Sequence, residues 1–507
     1  MSSIVARSGI NERIEAYSGF TGIDDSRDVR AMESGEGQAL VSMKNAYVDR
    51  RGSIVRDPGM EEIADPHKEI SHVAFSSVDV AVWAREDGGG VSLASERGHE
   101  ALEVFSRRAP VSSTYFDGKL VFASRNSRMR TYDGDKFRLG RAKSAPKPAF
   151  VATVQNRLAI AGMMDRPRVV DFSRANSDRF FTADEKSSDT RVTKAASIDI
   201  TNLVGSAEAI TGISAFEQNL LAIFTDSKTF LYRIDPDYTR WELVDRVNIN
   251  IGAISHNSIV RAGSDLIFAS HDGVRLLRRS ATNGITLYTV PVSAAVSFLY
   301  RRLVDSMSDI QRITAWWDQI SGTYRLHFPQ TDTTATTLVM TVASPDLSRV
   351  MWSTSTTIGM RCGAQLRRRS IVGTSGGIWR LALPEEDDSS LLWPEGEILT
   401  PILWHRSLTE TKQSLALIVQ ASGRGKLLID AFNQDGTNLQ SMAIDIEGEG
   451  DLADDTFPMV ALTDQYRRRF AHEYRGVQFR IRMVSSRGLV RITGLAVVLR
   501  GTGEIRR

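Results

Sequence analysis

The chain has 507 residues, enough for two or three domains that each bury a core. Hydrophobic residues make up 42% of it, a globular value that argues against extensive disorder. With 63 basic and 61 acidic residues the formal net charge is +2, which argues against nucleic-acid binding driven by a basic tail.

Cys362 is the single cysteine, so no intramolecular disulfide and no cysteine-based zinc or iron–sulfur site can form. The first residues, MSSIVARSGINER, lack the apolar core of a signal peptide. No apolar run approaches the roughly 20 residues that span a bilayer. We therefore expect a protein made in a cytoplasm that stays soluble or joins an assembly.

The N-terminal residues 1–34 are polar, rich in Gly and Asp, and weakly periodic. They predict an arm or irregular lead-in that either packs on a neighbouring subunit or is disordered. Residues 45–49 then predict a strand, Arg50-Arg51-Gly52 a turn, and residues 53–55 a return strand that Pro58-Gly59 stops.

This hairpin resembles the opening of β-propeller virion proteins of tailed bacteriophages. The nearest group is the tail tubular protein B, or nozzle, family of short-tailed phages. The marker residues of the resemblance are Asn45, Asp49, Gly52, Ile54, Arg56 and Gly59. An ordered series of later segments extends it over roughly residues 35–395: Phe180-Phe181-Thr182, 197–200, 210–213, 220–233, 266–279, 317–318 and 324–326.

A repeated hairpin organises the middle of the chain. In residues 263–279 two apolar runs flank the turn His271-Asp272-Gly273, and Asp and Gly tolerate the backbone angles of tight turns. The order of turn, apolar strand, turn and second strand recurs at 117–124, 155–161, 218–233 and 369–381. Copies roughly 40 to 60 residues apart predict the blades of a β-propeller.

One helix is predicted at residues 292–312. Its apolar face would carry Val296, Leu299, Leu303, Met307 and Ile310, which recur at helical spacing. Ser297 is the candidate N-cap.

Longer strands begin at about residue 400. They are predicted at 415–419, 426–432, 442–446, 476–483 and 489–499, with a hairpin turn at Asn433-Gln434-Asp435-Gly436. The predicted fold is all-β: an arm over 1–34, a β-propeller of undetermined blade number over 35–395, and a C-terminal antiparallel β-sandwich over 400–507.

Candidate chemical groups favour structural interpretations. The eight histidines lack the paired spacing of a zinc helix. Asp235 and Asp237 resemble only part of a calcium loop, and the acidic run 385–388 lies in a predicted surface loop. Residues 423–426 favour a hairpin turn over a phosphate loop, and Cys362 favours a packed side chain over a nucleophile. We predict no catalytic, metal-binding or cofactor-binding residue and no enzyme activity.

Arginine pairs are the most informative polar feature, because Arg outnumbers Lys and suits carboxylate, phosphate and interface contacts. Solvated strand ends are the favoured explanation of any single pair. For the set, we expect subunit contacts or a lumen that meets DNA phosphates. The candidates are Arg278, Arg279, Arg301, Arg302, Arg367, Arg368 and Arg369.

The resemblance implies a structural virion protein assembled in the host cytoplasm, a tail nozzle or tail-hub subunit of the DNA-ejection conduit. Its implied partners are other copies in a hexameric ring, an adaptor or connector, tail fibres and, transiently, phage DNA. Two alternatives remain open: a receptor- or glycan-binding tail protein, which exposed aromatic clusters would favour, and a glycan-degrading enzyme, which paired acids in a deep cleft would favour.

Overall fold

The computed structural model describes most of the chain, almost all of it in strands and turns. The described residues are 12–26, 38–87, 89–139, 146–178, 181, 190–205, 207–244, 251–279, 285–287, 291–331, 333–342, 350–386, 388–405, 409–446, 464–485 and 487–500. No helix in these ranges is long and apolar enough to cross a membrane.

Seven short strands precede the first complete blade. They are β1 (Glu12–Ser18), β2 (Phe20–Ile23), β3 (Gln38–Leu40), β4 (Ser42–Lys44), β5 (Ala46–Val48), β6 (Ile54–Arg56) and β7 (Met60–Ala64).

Five consecutive four-stranded antiparallel sheets follow as blades 1–5. Blade 1 has β8 (Ile70–Phe75), β9 (Ala81–Asp87), β10 (Gly90–Ser95) and β11 (Glu100–Ser106). Blade 2 has β12 (Val111–Phe116), β13 (Lys119–Ser124), β14 (Arg130–Tyr132) and β15 (Phe137–Leu139). Blade 3 has β16 (Phe150–Val154), β17 (Arg157–Ala161), β18 (Val169–Phe172) and β19 (Ala196–Asp199). Blade 4 has β20 (Ile210–Phe216), β21 (Leu220–Thr225), β22 (Thr229–Arg233) and β23 (Glu242–Leu243), and blade 5 has β24 (Val260–Ala262), β25 (Asp265–Ser270), β26 (Gly273–Arg279) and β27 (Ile285–Leu287).

Two further sheets close the ring. The meander consists of β28 (Thr314–Asp318), β29 (Thr323–Phe328), β30 (Thr336–Val342) and β31 (Val350–Ser355). Blade 6 consists of β32 (Cys362–Leu366), β33 (Arg369–Gly373) and β34 (Ile378–Leu381), completed by β7 from the N-terminal part of the chain. First strands of successive sheets contact one another, except that β20 contacts the 3-10 turn before β24, and β32 contacts both β28 and β8. The six separate blades and the meander therefore form one closed propeller.

The meander is also the end of an eleven-stranded sheet that continues into the C-terminal domain. That domain adds β35 (Gly396–Leu399), β36 (Lys412–Gly423), β37 (Gly425–Asn433), β38 (Asn438–Ile446), β39 (Asp464–Arg469), β40 (Glu473–Tyr474), β41 (Val477–Val484) and β42 (Val490–Arg500). These strands divide between the eleven-stranded sheet and a seven-stranded sheet, whose apolar faces share one buried cluster. We call this domain the C-terminal sandwich.

Helices are few and short in the described part of the chain. The α-helices are α1 (Thr201–Val204) and α2 (Ser297–Asp305), and single 3-10 turns lie at Tyr238–Arg240, His256–Ser258, Ala294–Val296, Ile310–Arg312 and Thr357–Gly359. The helix predicted over 292–312 is thus only nine residues long. Its expected inward face is present, with Val296 and Leu303 buried and Leu299 packed beside them. The cap differs from the prediction, because the Asp25 carboxylate accepts the Leu299 N–H at 2.7 Å.

The repeated hairpin is confirmed in every copy. Strands β13, β17, β21, β25 and β33 are the predicted apolar runs, and each is the second strand of its sheet. In blade 5, Ser270 pairs with Gly273 across His271-Asp272, and Gly273 has φ 150°. Second strands are buried on both faces, which explains why their runs are continuously apolar.

The N-terminal end differs from the predicted arm. Strand β1 pairs along its whole length with β42, from Glu12 opposite Arg500 to Ser18 opposite Gly494. Strand β2 runs parallel to β3 and meets Trp352 of the meander. Residues 12–23 are therefore sheet, and the rest of the predicted arm except 24–26 lies outside the described residues. Strands β4 to β6, expected in the propeller, join the sheets of the C-terminal sandwich.

Candidate functional site: the joint and the channel mouth

The six marker residues of the N-terminal hairpin lie where the meander, the hairpin β5–β6 and the C-terminal sandwich meet. We call this meeting point the joint. Asn45 has φ 50°, and its side chain reaches both neighbours. Its Oδ1 accepts the Thr356 N–H at 2.9 Å, and its Nδ2 donates to the Glu395 carbonyl at 3.0 Å. One amide therefore ties the end of the meander to the start of the sandwich.

Asp49 and Gly52 shape the hairpin. The Asp49 Oδ1 accepts the N–H groups of Arg51 and Ser53, both at 2.9 Å, as in an Asx turn. Gly52 has φ 83°, a conformation costly for other residues, and its carbonyl accepts the Phe20 N–H at 3.0 Å. The turn thereby holds β2 as well as the hairpin.

Arg56 and Gly59 enclose the indole of Trp393. The Arg56 side chain is completely buried and donates to the carbonyls of Ser485, at 3.3 Å, and Gly488. Its guanidinium carbon lies 5.0 Å from the Trp393 ring centroid, and burial lowers its pKa to about 10. A Cβ on Gly59 would lie 2.8 Å from the indole, so the chain can pass there only as glycine.

A buried charged group lies beside the joint. Arg325 on β29 is 3.5 Å from Asp57 and 3.7 Å from Asp318, and all three side chains are at most 6% exposed. Its guanidinium carbon is 6.0 Å from the Tyr47 ring centroid. Burial, with the nearby Asp318 charge, raises the pKa of Tyr47. These groups hold the propeller and the hairpin in register at high desolvation cost.

The channel mouth is the second candidate site. Its residues directly precede the inner strands of several sheets: Glu69 before β8, Pro110 before β12, Arg312 just before β28 and Arg361 before β32. Asn257 before β24 and Glu86 from β9 complete its wall. The cavity at the mouth has a volume of about 20 Å³.

Glu69 is the hub of the mouth. Its Oε1 accepts from Arg312 Nη2 at 2.6 Å and from Arg361 Nη1 at 2.5 Å. Arg361 also donates to the Thr331 carbonyl, and its own carbonyl accepts from the Thr314 hydroxyl. The trio joins blade 1, the meander and blade 6 through two charge-assisted bonds to one carboxylate oxygen.

Glu86 is the second acid of the mouth. Both of its oxygens accept the Arg108 backbone N–H, at 3.0 and 3.3 Å. Burial first, and then the Glu69 charge, raise the pKa of Glu86, while Arg312 and Arg107 oppose the rise. Glu86 therefore holds its proton at a higher pH than an ordinary glutamate.

Below the mouth, neutral side chains line the channel. His72 Nε2 lies 2.8 Å from the Ser113 hydroxyl, and His256 stacks on Phe150 with ring centroids 4.9 Å apart. Burial lowers the pKa of His72 to about 4 and, with the neighbouring His72, that of His256 to about 3. Both imidazoles are uncharged at neutral pH.

The predicted arginine set does not form one surface. Arg278 makes two bonds to the Asp265 carboxylate, one of 2.9 Å, at the outer side of blade 5. Arg279 ends β26, and its side chain is outside the described part of the structure. Arg301 and Arg302 are exposed on α2.

The turn from β32 to β33 carries the other three arginines, on a separate blade. Arg368 pairs with Glu385, and Arg369 pairs with Glu96. Arg367 is exposed at φ 55°. The structure thus pairs part of the set with local acids; an interface role for the set stays a prediction.

Other candidate groups have structural roles. Asp237 Oδ1 accepts the Thr239 N–H of a 3-10 turn, and Asp235 Oδ1 accepts the Asp237 N–H. Cys362 is buried at the start of β32, which raises the pKa of its thiol to about 12. Residues 423–426 connect β36 to β37, with no helix following. Within the described ranges, no three His, Cys, Asp or Glu side chains are placed to hold a metal ion.

No pattern in the sequence indicated the mouth residues Glu69, Glu86, Arg312 and Arg361. They are far apart in the chain, and the ring closure brings them together. Their position relative to the inner strands is a usable signal. Glu69 and Arg361 directly precede an inner strand, and one residue separates Arg312 from the next. Aligning the repeats on their inner strands would therefore have placed these three charges at one end of the channel.

Comparisons with known proteins add only general similarity. No protein-family model matches the chain, and no curated protein matches it. Virginiamycin B lyase from Staphylococcus aureus is 10% identical over 64% of this chain and 98% of its own, with a TM-score of 0.40. YCF48 from Cyanidioschyzon merolae is 11% identical over 64% and 99%, with a TM-score of 0.36. BamB from Moraxella catarrhalis is 10% identical over 68% and 99%, with a TM-score of 0.34. No activity is transferred from proteins this distant, and the propeller assignment rests on the sheet topology.

Proposed function

We propose that this chain is a structural virion protein of a tailed bacteriophage, a tail nozzle or tail-hub subunit of the DNA-ejection conduit. The observation that supports this most is the role of the marker residues. Asn45, Asp49, Gly52 and Arg56 are joint residues that fasten the propeller to the sandwich. The resemblance to nozzle proteins therefore falls on residues that set domain architecture, which is what an assembly subunit must keep.

The cavity at the channel mouth, of about 20 Å³, is far smaller than a nucleotide, so it is not the candidate passage for DNA. In this proposal the conduit lies between copies of the chain, with the propellers around it. The ring is hexameric by resemblance, its partners are the adaptor or connector and tail fibres, and it acts in the virion tail.

The joint is suited to transmit force between the propeller and the C-terminal sandwich. Because the meander and the sandwich share one sheet, a force on the propeller passes through hydrogen-bonded strands rather than a flexible linker. Exposed arginines, such as Arg301 and Arg367, are the candidates for contacts between copies. In this proposal the chain has no catalytic role.

Native mass spectrometry at increasing protein concentration, followed by negative-stain imaging, tests the proposal. We expect closed rings, formed by the chain alone or on addition of phage connector proteins, with an opening wide enough for duplex DNA. A double variant, Arg301→Glu with Arg302→Glu, should weaken ring formation, and Arg278→Gln, at an arginine already paired to Asp265, is the matched control. A monomer that never joins a connector, and that binds cells or cleaves surface polysaccharide instead, would refute it.

A further inference from the structure

The channel mouth has the features of a small binding site. It is enclosed by residues of blades 1, 2 and 6, the meander and the 3-10 turn before blade 5. The Glu69–Arg312–Arg361 trio fixes one wall, so the charges there are preorganised. Nothing in the proposed conduit role uses this site.

The charge of the mouth selects the sign of its ligand. Two acids, Glu69 and Glu86, face the bases Arg312 and Arg361, and the charge of Arg107 also acts on Glu86, which leaves a net charge of about +1. Protonation of Glu86, whose pKa is raised, would increase that charge further. A monovalent anion balances the site, whereas a cation would add to an existing excess.

The size of the mouth selects among anions. A cavity needs roughly 10 to 15 Å³ to hold one water-sized group. The mouth, with a cavity of about 20 Å³, therefore holds one or two such groups. A carboxylate has two oxygens of this size, and a phosphate has four. Arg312 makes one hydrogen bond, to Glu69, and its side chain is 14% exposed, which leaves further N–H groups to bind an oxygen.

We propose that the channel mouth binds a single carboxylate group, with Arg312 as the principal donor. The carboxylate has two sources with the same chemistry, a free small carboxylate or an acidic group at the tip of a protein segment. The narrow space admits the carboxylate itself and leaves the rest of the ligand outside.

Ligand-observed NMR titration of the full-length chain tests the sign of the ligand. The probes are acetate and methylammonium, which are similar in size and opposite in charge. Acetate should bind and methylammonium should not, because the mouth carries a net positive charge, and acetate binding should tighten as the pH falls towards the raised pKa of Glu86. Preference for methylammonium, or binding of neither probe, would overturn the proposal.

Variants test the location. Arg312→Gln should weaken acetate binding about tenfold, as expected for loss of a charge-assisted bond. Arg278→Gln removes an arginine that also pairs with a carboxylate, on the outer side of blade 5, and should leave acetate binding unchanged. Equal effects of the two variants would place the site elsewhere and overturn the proposal.

The variant Glu86→Gln provides a second test of acetate binding at the channel mouth if Arg312→Gln does not fold. This variant removes the charge and retains a polar amide. Acetate should then bind at pH 8 at least as tightly as to the unmodified chain. Loss of acetate binding would overturn the proposal, because removal of an acidic charge should not weaken the binding of an anion.

A final binding measurement distinguishes the two sources of the carboxylate, a free small molecule and a protein side chain. A short peptide with blocked ends and one glutamate is compared with acetate and with its glutamine counterpart. Binding of the glutamate peptide at least as tight as that of acetate indicates a protein side chain. Binding of acetate alone indicates a free small carboxylate. Equal binding of the glutamate and glutamine peptides would show that the carboxylate is not what the site recognises.

Discussion

Blades 1 to 5 and the C-terminal sandwich are built by opposite strategies. Each blade pairs strands that follow one another in the chain, so every blade is a local meander. The sandwich pairs strands from the two ends, β1 with β42 and β6 with β42, and blade 6 does the same with β7 and β34. Local pairing makes units that repeat, and long-range pairing makes the unit that fixes them in one arrangement.

The difference extends to the chemistry of the contacts. The strands of the blades pack mainly through apolar second strands, such as β21 and β25, which are buried almost throughout. Individual blades also bury charges, such as Arg157 and Arg275, but the joint buries Arg56, Arg325 and Asp57 together. Charged joints are sensitive to loss of one partner, whereas apolar blades tolerate small changes of volume. The predictions below separate the two regions on that basis.

The largest effect is expected at the buried charged group. Arg325→Met should lower the free energy of unfolding by about 3 to 5 kcal/mol, because Asp57 and Asp318 would remain buried without their cation. Denaturant unfolding followed by tryptophan fluorescence measures it. The double variant Arg325→Met with Asp57→Asn should be less destabilised than the single one; equal loss would show that charge compensation is not the cause.

The second largest effect is expected for Arg56→Met. This variant should lower the free energy of unfolding by about 2 to 3 kcal/mol, because the buried carbonyls of Ser485 and Gly488 lose their donor while the contact with Trp393 is largely kept. Hydrogen exchange should localise the loss to the joint and the sandwich and leave blades 2 to 4 protected. The exposed Arg367→Ala is the control, with an expected change within about 0.5 kcal/mol. Uniform loosening of all blades would contradict the local role of Arg56.

Acidification should act through buried histidines. Burial lowers the pKa of His327 and of His405 to about 3, against an ordinary value near 6.5. The unfolded chain therefore binds these protons first, and stability is lost as the pH falls below about 6.5 towards 3. Each group should cost about 2 kcal/mol at pH 5 relative to pH 7.

Unfolding of the unmodified chain and of His327→Gln at pH 7 and pH 5 checks this effect. The variant should lose less stability between the two pH values, by about the share of one histidine. The same loss in both proteins would mean that His327 is not a source of the acid sensitivity.

The smallest effect is expected where β1 meets the sandwich. The Tyr17 hydroxyl lies 2.7 Å from His405 Nδ1, and His405 Nε2 lies 3.2 Å from the Tyr474 hydroxyl. Tyr17→Phe removes one buried hydrogen bond and should cost about 1 kcal/mol. Hydrogen exchange of β1 and the end of β42 should rise in this variant, with blades 1 to 5 as the internal reference. An unchanged rate in β1 would show that the bond does not hold the strand.

The same contrast explains what the sequence could predict. The hairpins of blades 2 to 6 were predicted because turn residues and apolar runs lie side by side, as in Leu220–Thr225 followed by Thr229–Arg233. The strand β1 was not predicted, because its sequence, ERIEAYS, alternates only weakly between apolar and polar residues and its partner strand is at the other end of the chain. The predicted helix was too long, because its period continues through 3-10 turns that flank α2.

The candidate sites were missed for a related reason. Marker residues such as Asn45 and Arg56 were visible in the sequence, but the contacts that explain them reach to Glu395 and Gly488. The acids and bases of the channel mouth follow no short motif, since they come from several sheets. Residue type and spacing cannot reveal a site whose members are assembled only by closure of the ring.

Strand β7 imposes an order of events during synthesis. It leaves the ribosome before any blade, yet its partner β34 follows roughly 300 residues later. At ordinary elongation rates the nascent chain waits roughly 15 to 60 s with this strand unpaired. Met60–Ala64 carries two exposed glutamates, which disfavour pairing with a stray edge during that interval. The ring can thus be completed only after blades 1 to 5 have been made.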